Sequence, residues 1–365
     1  MFDAIATLTH AARRRGFDVH PAPPAPPPEA QAEYLAWLKD GRHAGMAYLA
    51  RDVAERLDPR RRFPWLQGVL VLSVSYAYPE PPKPAGGLRW GRVARYAWVR
   101  DYHAWIELHL RALEQLCARL GGRCKGYVDH GPVLERAYAA ASGAGWIGRN
   151  GLWIPTAGGS YRHLAVLLTS WPTEAAPPHP NRCGSCTACV RHCPTGAIVA
   201  DGVVDARRCL SYWTIEHRGL VPLELWPRWG EWIFGCDDCQ TVCPWNRRFS
   251  SPAAPEPDPE LAWPDLRSFF MLSNRGFARR YAGSAFVRSG RPALARNVLV
   301  AASGAAPEVI EALLPLALED ASTVVRATAA AVAARMGRAD RAGEALRTLA
   351  GEAARYVEEA LDLFA

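Results

Sequence analysis

The sequence predicts an α+β protein in which an α/β domain, a cysteine-rich module and an α-helical tail follow one another. Three observations carry this. Strand-like runs alternate with helical periodicity over roughly residues 1–175. Eight of the ten cysteines fall between Cys183 and Cys243, in a loop-rich stretch. From residue 292 the chain becomes rich in alanine and leucine at helical spacing. A chain of 365 residues has room for two or three such cores. The expected divisions are 1–175, 176–250, a linker with a basic segment at 251–291, and 292–365.

The first domain opens with a helix over residues 1–20, followed by "PAPPAPPPEA" (residues 21–30), a stiff polyproline connector. A helix is expected from about residue 29 to 50. The strand candidates are "GVLVLSVSY" (68–76), "GRCKGYVD" (122–129) and "HLAVLLTSW" (163–171), with a long amphipathic helix over about 102–120 between the first two. "SSPAAPEPDPE" (250–260) reads as a linker or surface excursion. In the tail, "LED-x-S-x-x-VR" between two short helices resembles a HEAT repeat over about one and a half repeats; a plain helical bundle has nearly the same architecture.

The net charge is +7, which favours an acidic partner such as nucleic acid without establishing one. No apolar run has transmembrane length. "RRRGF" (13–17) begins like a twin-arginine export signal, but Asp18, His20 and prolines follow where an apolar core is needed. The expected location is the cytoplasm, where dense cysteines are metal ligands more often than disulfides.

The cysteines define the chemistry. "CGSCTACVRHCPTGAI" (183–198) places Cys183, Cys186 and Cys189 at C-x-x-C-x-x-C spacing, so that three sulfurs reach three corners of one cuboidal cluster. A zinc site would use two C-x-x-C pairs instead. Cys193, before a proline, serves a different cluster, as in two-cluster ferredoxins. "CDDCQTVCPW" (236–245) is a partial echo with three cysteines, and Cys209 supplies the missing one across an insertion. One [4Fe–4S] cluster is therefore assigned to Cys183, Cys186, Cys189 and Cys243, the other to Cys193, Cys209, Cys236 and Cys239. Cys117 and Cys124 stand apart as ordinary thiols. Trp213, Trp226, Trp229, Trp232 and Trp245 are expected to pack around the clusters and exclude water.

Five stretches together resemble the epoxyqueuosine reductase family: "YVDHGPVLERAYAAASGAGWIGRNGLWI" (127–154), the first cysteine motif, "DARRCLSYWTIEHRG" (205–219), "FGCDDCQTVCPWN" (234–246) and "FARRYAGSAFVRSGRPALARN" (277–297). Two departures are His130, where the family usually has threonine, and Arg149, where it has lysine. The resemblance implies a reductive-dehalogenase-like cobalamin domain, a ferredoxin-like module with two [4Fe–4S] clusters, and a HEAT-like tail. It implies conversion of epoxyqueuosine to queuosine at the wobble position of tRNAs with a GUN anticodon, those for Asp, Asn, His and Tyr. It implies an external one-electron donor such as flavodoxin or ferredoxin, and the chain is expected to act as a monomer. Cobalamin comes from the resemblance alone: the D-x-H-x-x-G motif that supplies an axial histidine is absent, and "DYHAW" (101–105) begins like it but lacks the glycine. Base-off binding without a protein histidine on the metal is expected.

The resemblance makes Asp129 the proton donor, with a pKa raised by burial, where a turn-capping aspartate is the bland alternative. His130 is a candidate assistant. Arg95, Tyr96, Tyr102, Trp146, Gly148, Arg149, Asn150, Ser211 and Thr214 are the candidate corrin contacts; Ser211 and Thr214 could equally cap a helix. Arg275, Arg279, Arg280, Arg288, Arg291, Arg296 and Asn297 are the candidate tRNA contacts, against a merely solvated basic face. A cobalamin-dependent reductive dehalogenase and a non-catalytic ferredoxin-type carrier are the competing functions. The missing export signal and the basic helical tail count against the dehalogenase.

Overall fold

The computed structural model describes residues 3–247 and 255–364. The expected linker therefore lies partly, at residues 250–254, outside the described residues. The described chain is a mixed helix-and-sheet protein that divides into two compact units. The first comprises Met1–Pro79, Asp101–Asp205 and Asp238–Glu256; the second comprises Glu80–Arg100, Ala206–Asp237 and Pro257–Ala365. This differs from the four consecutive segments expected, with boundaries near 175, 250 and 291. The reason is long-range pairing: strand Arg92–Val93 leaves its sequence neighbours to pair in parallel with Trp232–Phe234. No local pattern announces such a partner.

The first unit is built on a four-stranded sheet in the order Asp18–Ala22, Gly68–Ser75, Arg162–Thr169, Cys124–Tyr127. All three ladders are antiparallel, so the strand–helix alternation did not bring a parallel sheet. Gly68–Ser75 is buried throughout and pairs residue for residue with Arg162–Thr169. Its side chains alternate between two cores. Leu70, Leu72 and Val74 meet Leu8, Phe17, Ile106, Leu110 and Leu113. Val69 and Val71 meet Tyr138, Trp153 and Leu168.

Helix Tyr102–Arg119 buries Ile106, Leu110, Leu113 and Cys117, one stripe at helical spacing. Asp101 caps its N-terminus by accepting from the His103 amide at 3.0 Å. That cap fixes where Tyr102 and His103 point. The expected N-terminal helix is shorter, Ala4–Arg13, and Asp18–Ala22 is an edge strand that tolerates Pro21. The proline run is not a pure connector either, since its Pro28 starts helix Pro28–Lys39.

In the second unit, helix Thr323–Arg335 packs against Arg291–Ala305, Pro307–Leu318, Ala339–Leu346 and Glu352–Phe364. Its run Ala329, Ala330, Ala331, Val332, Ala333, Ala334 is buried on every side. Small side chains let four helices approach one. Among the described residues no helix is long and apolar enough to cross a membrane.

Candidate functional site

Strand Cys124–Tyr127 delivers the chain to Asp129, whose φ is +55°. The His130 amide donates back to the Val128 carbonyl at 2.6 Å, so Asp129 is the centre of a γ-turn of the rare positive-φ kind. Such strain persists only where the surroundings enforce it. Gly131 follows because a Cβ there would lie 2.4 Å from the Tyr127 ring. Arg56, which is buried, donates to the carbonyl oxygens of Gly131 at 3.2 Å, Tyr48 at 3.3 Å and Arg51 at 3.1 Å, tying the turn to a second segment.

The Asp129 side chain keeps half its surface open, and protein crowds it from the sides. The Tyr102 hydroxyl donates to Oδ2, and His103 Nε2 meets the same oxygen at 3.1 Å. Among the described residues no donor reaches Oδ1. His103 Nδ1 lies 3.0 Å from Asp101 Oδ1. The Tyr102 ring stacks on His103 at 4.1 Å and on His163 at 3.9 Å. His130 Nε2 lies 3.5 Å from Glu107 Oε1 at the surface.

The electrostatics correct one expectation. Crowding raises the Asp129 pKa, but the hydrogen bonds from His103 and Tyr102 outweigh it and hold the carboxyl below its ordinary range. Burial works against the His103 imidazolium, yet the bonds and charges of Asp129 and Asp101 prevail and raise it. Burial takes His163 down to about 3, so it is neutral. Burial, then the Asp129 charge, pushes Glu135 up to about 8, which makes it a neutral carboxylic acid near pH 7. His103, His163 and Glu135 escaped the sequence reading. The signal for His103 is present in "DYHAW", which begins like a metal-ligand motif.

The second feature of this unit is a cavity of about 200 Å³ lined by Cys183, Cys186, Cys189 and Cys243. Helix Ala188–His192 packs on Asp238–Thr241, which brings the two halves of the cysteine pattern together. Four convergent thiols are the donor set that a [4Fe–4S] cluster requires. Arg149, Asn150 and Trp245 line the same cavity, and Trp146 packs edge-on to Trp245 with ring centroids 4.8 Å apart. Arg149 also donates to Gly184 O at 2.9 Å and pairs with Asp201 at 3.4 Å. A Cβ on Gly148 would come within 2.5 Å of Ile154 Cδ1, so this glycine makes room for the protein's own interior. Of the residues expected at a corrin, Arg149 and Asn150 line the cysteine cavity and Trp146 packs beside Cys243 and Trp245. Tyr102, expected there too, bonds Asp129.

Of the other cluster cysteines, Cys193 and Cys239 lie in the first unit and Cys209 and Cys236 in the second. In the second unit Thr214 is fully buried and its hydroxyl donates to Leu210 O at 2.8 Å within its own helix, so it offers nothing to a corrin. Ser211 is half-buried on the same helix. The Arg95 amide donates to Asp237 at 2.7 Å and its guanidinium lies over Trp98; the Tyr96 ring faces Phe234. Trp226, expected near the clusters, instead packs on Tyr356 and Phe364 of the last helix.

The basic stretch divides. Arg275, Arg279, Arg280 and Arg288 are exposed. Arg291 is buried and bidentate to Asp320 at 2.6 and 2.8 Å. Arg296 and Asn297 are wholly buried. Arg296 donates to the carbonyls of His217 at 3.0 Å and Trp213 at 2.7 Å, and Asn297 to those of Thr214 at 2.8 Å and Ile233 at 2.9 Å. Burial lowers Arg296 to about 9. Arg291, Arg296 and Asn297 are therefore not tRNA contacts. The last two tie the helix after Cys209 and the strand before Cys236 to helix Arg291–Ala305.

Comparison with known proteins identifies the family. Residues 182–246 match the family described as "4Fe-4S double cluster binding domain", and residues 56–130 match "Epoxyqueuosine reductase QueG". The chain is 39% identical to the epoxyqueuosine reductase of Vibrio cholerae over 298 residues, covering 78% of this chain and 79% of that one. It is 36% identical to that of Xanthomonas campestris, covering 89% and 94%. A crystal structure of epoxyqueuosine reductase with a tRNA-Tyr epoxyqueuosine-modified stem loop superposes with a TM-score of 0.89 at 28% identity, covering 100% of this chain and 99% of that one. A Bacillus subtilis epoxyqueuosine reductase whose catalytic aspartate loop is swung out of the active site gives 0.88 at 28%, covering all of both chains. With over a third of residues identical across three quarters or more of its length, this chain belongs to the epoxyqueuosine reductase family.

Proposed function

We propose that this protein is an oxidoreductase that reduces epoxyqueuosine to queuosine in tRNA, the last step in making that base. Removing an epoxide oxygen to leave an alkene takes in two electrons and two protons and releases one water. The observation that carries the reading is the Asp129 carboxylate, held in a strained turn by Tyr102 and His103, on a chain of this family. Among the described residues no donor reaches Oδ1, so this side of the carboxyl is open to the departing epoxide oxygen. Cys183, Cys186, Cys189 and Cys243 would hold one [4Fe–4S] cluster and Cys193, Cys209, Cys236 and Cys239 the other, and the pair would supply single electrons drawn from a donor such as flavodoxin or ferredoxin. The tRNAs are those with GUN anticodons.

Cobalamin is the proposed redox partner of the substrate. The half-exposed carboxylates of Asp101 and Asp129 are acceptors that suit the amide-bearing edge of a corrin, with the His130 ring beside them. When bound, it supplies the electron pair that opens the epoxide. Tyr102, His103 and Asp129 orient and protonate; Arg95, Tyr96 and Ser211 remain its candidate contacts. The fold is read as reductive-dehalogenase-like with a HEAT-like tail. Arg275, Arg279, Arg280 and Arg288 supply phosphate contacts, which position the RNA while the modified base leaves its stack.

The deciding experiment is mass spectrometry of nucleosides from epoxyqueuosine-containing tRNA, incubated with the cluster-loaded protein, cobalamin and a strong reductant. Loss of one oxygen from the base is expected. Unchanged epoxyqueuosine with clusters and cobalamin bound would overturn the reading.

A further inference from the structure

We infer that His103 stores the proton that Asp129 delivers, and that solvent recharges Asp129 through His103 between the two protonations of each turnover. This rests on the proposed reaction and goes beyond it, since one carboxyl cannot supply two protons without being refilled.

The geometry carries the argument. Both ring nitrogens of His103 face carboxylate oxygens, Nδ1 on Asp101 at 3.0 Å and Nε2 on Asp129 at 3.1 Å. An ionised carboxylate only accepts, so both contacts are satisfied together only by an imidazolium. Asp129 bonded this way stays ionised at rest, and the transferable proton sits on Nε2. As negative charge develops on the epoxide oxygen, Nε2–H passes its proton to Oδ2; rotation about the Cβ–Cγ bond turns that O–H toward the substrate, and the carboxyl hands the same proton to the leaving oxygen. The first proton makes a hydroxyl and the second makes water. The His103 side chain is about one-third exposed, which leaves solvent a route to the ring.

The surrounding groups support this charge state. At the start of its own helix His103 meets Asp101 and Tyr102, and Glu107, one turn on, is paired with His130. From the turn after strand Cys124–Tyr127 it meets Asp129, with the His130 ring 6.5 Å away. From strand Arg162–Thr169 it faces His163, which is neutral and adds no repulsion. The direction of the His103 shift, upward, follows from the two carboxylates.

Two measurements on the full, cluster-loaded chain test this. Histidine NMR, with His103 assigned through His103→Gln, should give a midpoint above the ordinary 6.5 that falls in both Asp129→Asn and Asp101→Asn. Single-turnover rates should fall as pH rises through that midpoint. His103→Gln should lose about tenfold or more at pH 7, and its alkaline limb should move to lower pH, with tRNA affinity intact. A merely structural histidine would scale the profile without moving it. A midpoint at or below 6.5, or an unmoved limb, overturns the inference. Wild-type protein that makes no queuosine instead sinks the reaction reading, and the NMR midpoint still decides the charge on His103.

Discussion

Arg56 Nη1 donates to the carbonyl oxygen of Gly131 at 3.2 Å, two residues beyond Asp129. The same guanidinium holds Tyr48 and Arg51, so one buried side chain joins the strained turn to residues 48–56. Arg56→Met keeps much of the volume and removes all these donors. It should cost about 1–3 kcal/mol of stability through the carbonyls left unsatisfied. Turnover should fall because Asp129 loses its fixed position, while the KM for tRNA stays near wild type. A thermal melt and steady-state kinetics check this; an unchanged kcat would mean the turn holds itself.

Asp129 itself separates chemistry from binding. An asparagine amide has nearly the same shape but carries no transferable proton. Asp129→Asn should retain both clusters, cobalamin and tRNA, and lose about two to four orders of magnitude in rate. Absorbance spectra, a binding titration and nucleoside mass spectrometry measure these separately. Comparable loss of cobalamin binding would make Asp129 a structural ligand instead of an acid.

Glu135 gives a pH-dependent prediction. Its folded pKa, near 8, lies above its unfolded value, so the folded state binds the extra proton. Its contribution is fully present below the ordinary carboxylate pKa and is lost as pH rises through about 8. Glu135→Gln cannot ionise. Its melting temperature relative to wild type should therefore climb between pH 5 and 8. A pH-independent difference would place the Glu135 carboxyl in contact with solvent or a cation.

The sheet strands and the long helix were legible in sequence because their periodicity is local. "GVLVLSVSY" reads as a buried strand whatever its partners are, and it is one. The cysteine spacing was legible because a cuboidal cluster dictates it. The Asp129 network was not, because Asp129 is 26 residues from His103 and 27 from Tyr102, and it meets them only when a capped helix faces the end of a strand. The basic run misled for the opposite reason. Arginines close in sequence read as one face, yet Arg291 and Arg296 point inward, toward Asp320 and backbone carbonyls. Charge alone does not say which way a side chain points.

That division of the basic run is testable. Replacing Arg275, Arg279 and Arg280 with alanine should leave stability within about 0.5 kcal/mol, as exposed substitutions do. The same variant should weaken tRNA binding and flatten its salt dependence, since each lost phosphate contact removes released counterions. Arg291→Leu should do the reverse. It strands a buried Asp320 and should cost about 3–5 kcal/mol, with salt slope unchanged. Equal effects of both variants on the salt slope would show that burial does not separate the two groups.

The shared cavity of Cys183, Cys186, Cys189 and Cys243 predicts which ligands fail together. In a double-cluster domain with eight ligands, each cluster that is lost should remove about four irons and four sulfides per chain. If Cys243 completes the first cluster, Cys183→Ala and Cys243→Ala strike the same cluster. The double variant should then keep the other one and retain about four irons, as each single variant does. If Cys243 instead belongs with Cys236 and Cys239, the double variant strikes both clusters and retains close to none. Pairing Cys183→Ala with Cys193→Ala is the internal control, because those two cysteines are neighbours in sequence but are assigned to different clusters. That pair should lose both. Iron and sulfide analysis of anaerobically reconstituted protein, with tRNA binding as the check on folding, decides between the assignments. A double variant of Cys183 and Cys243 that holds less iron than either single variant would break the ligand exchange that the cavity supports.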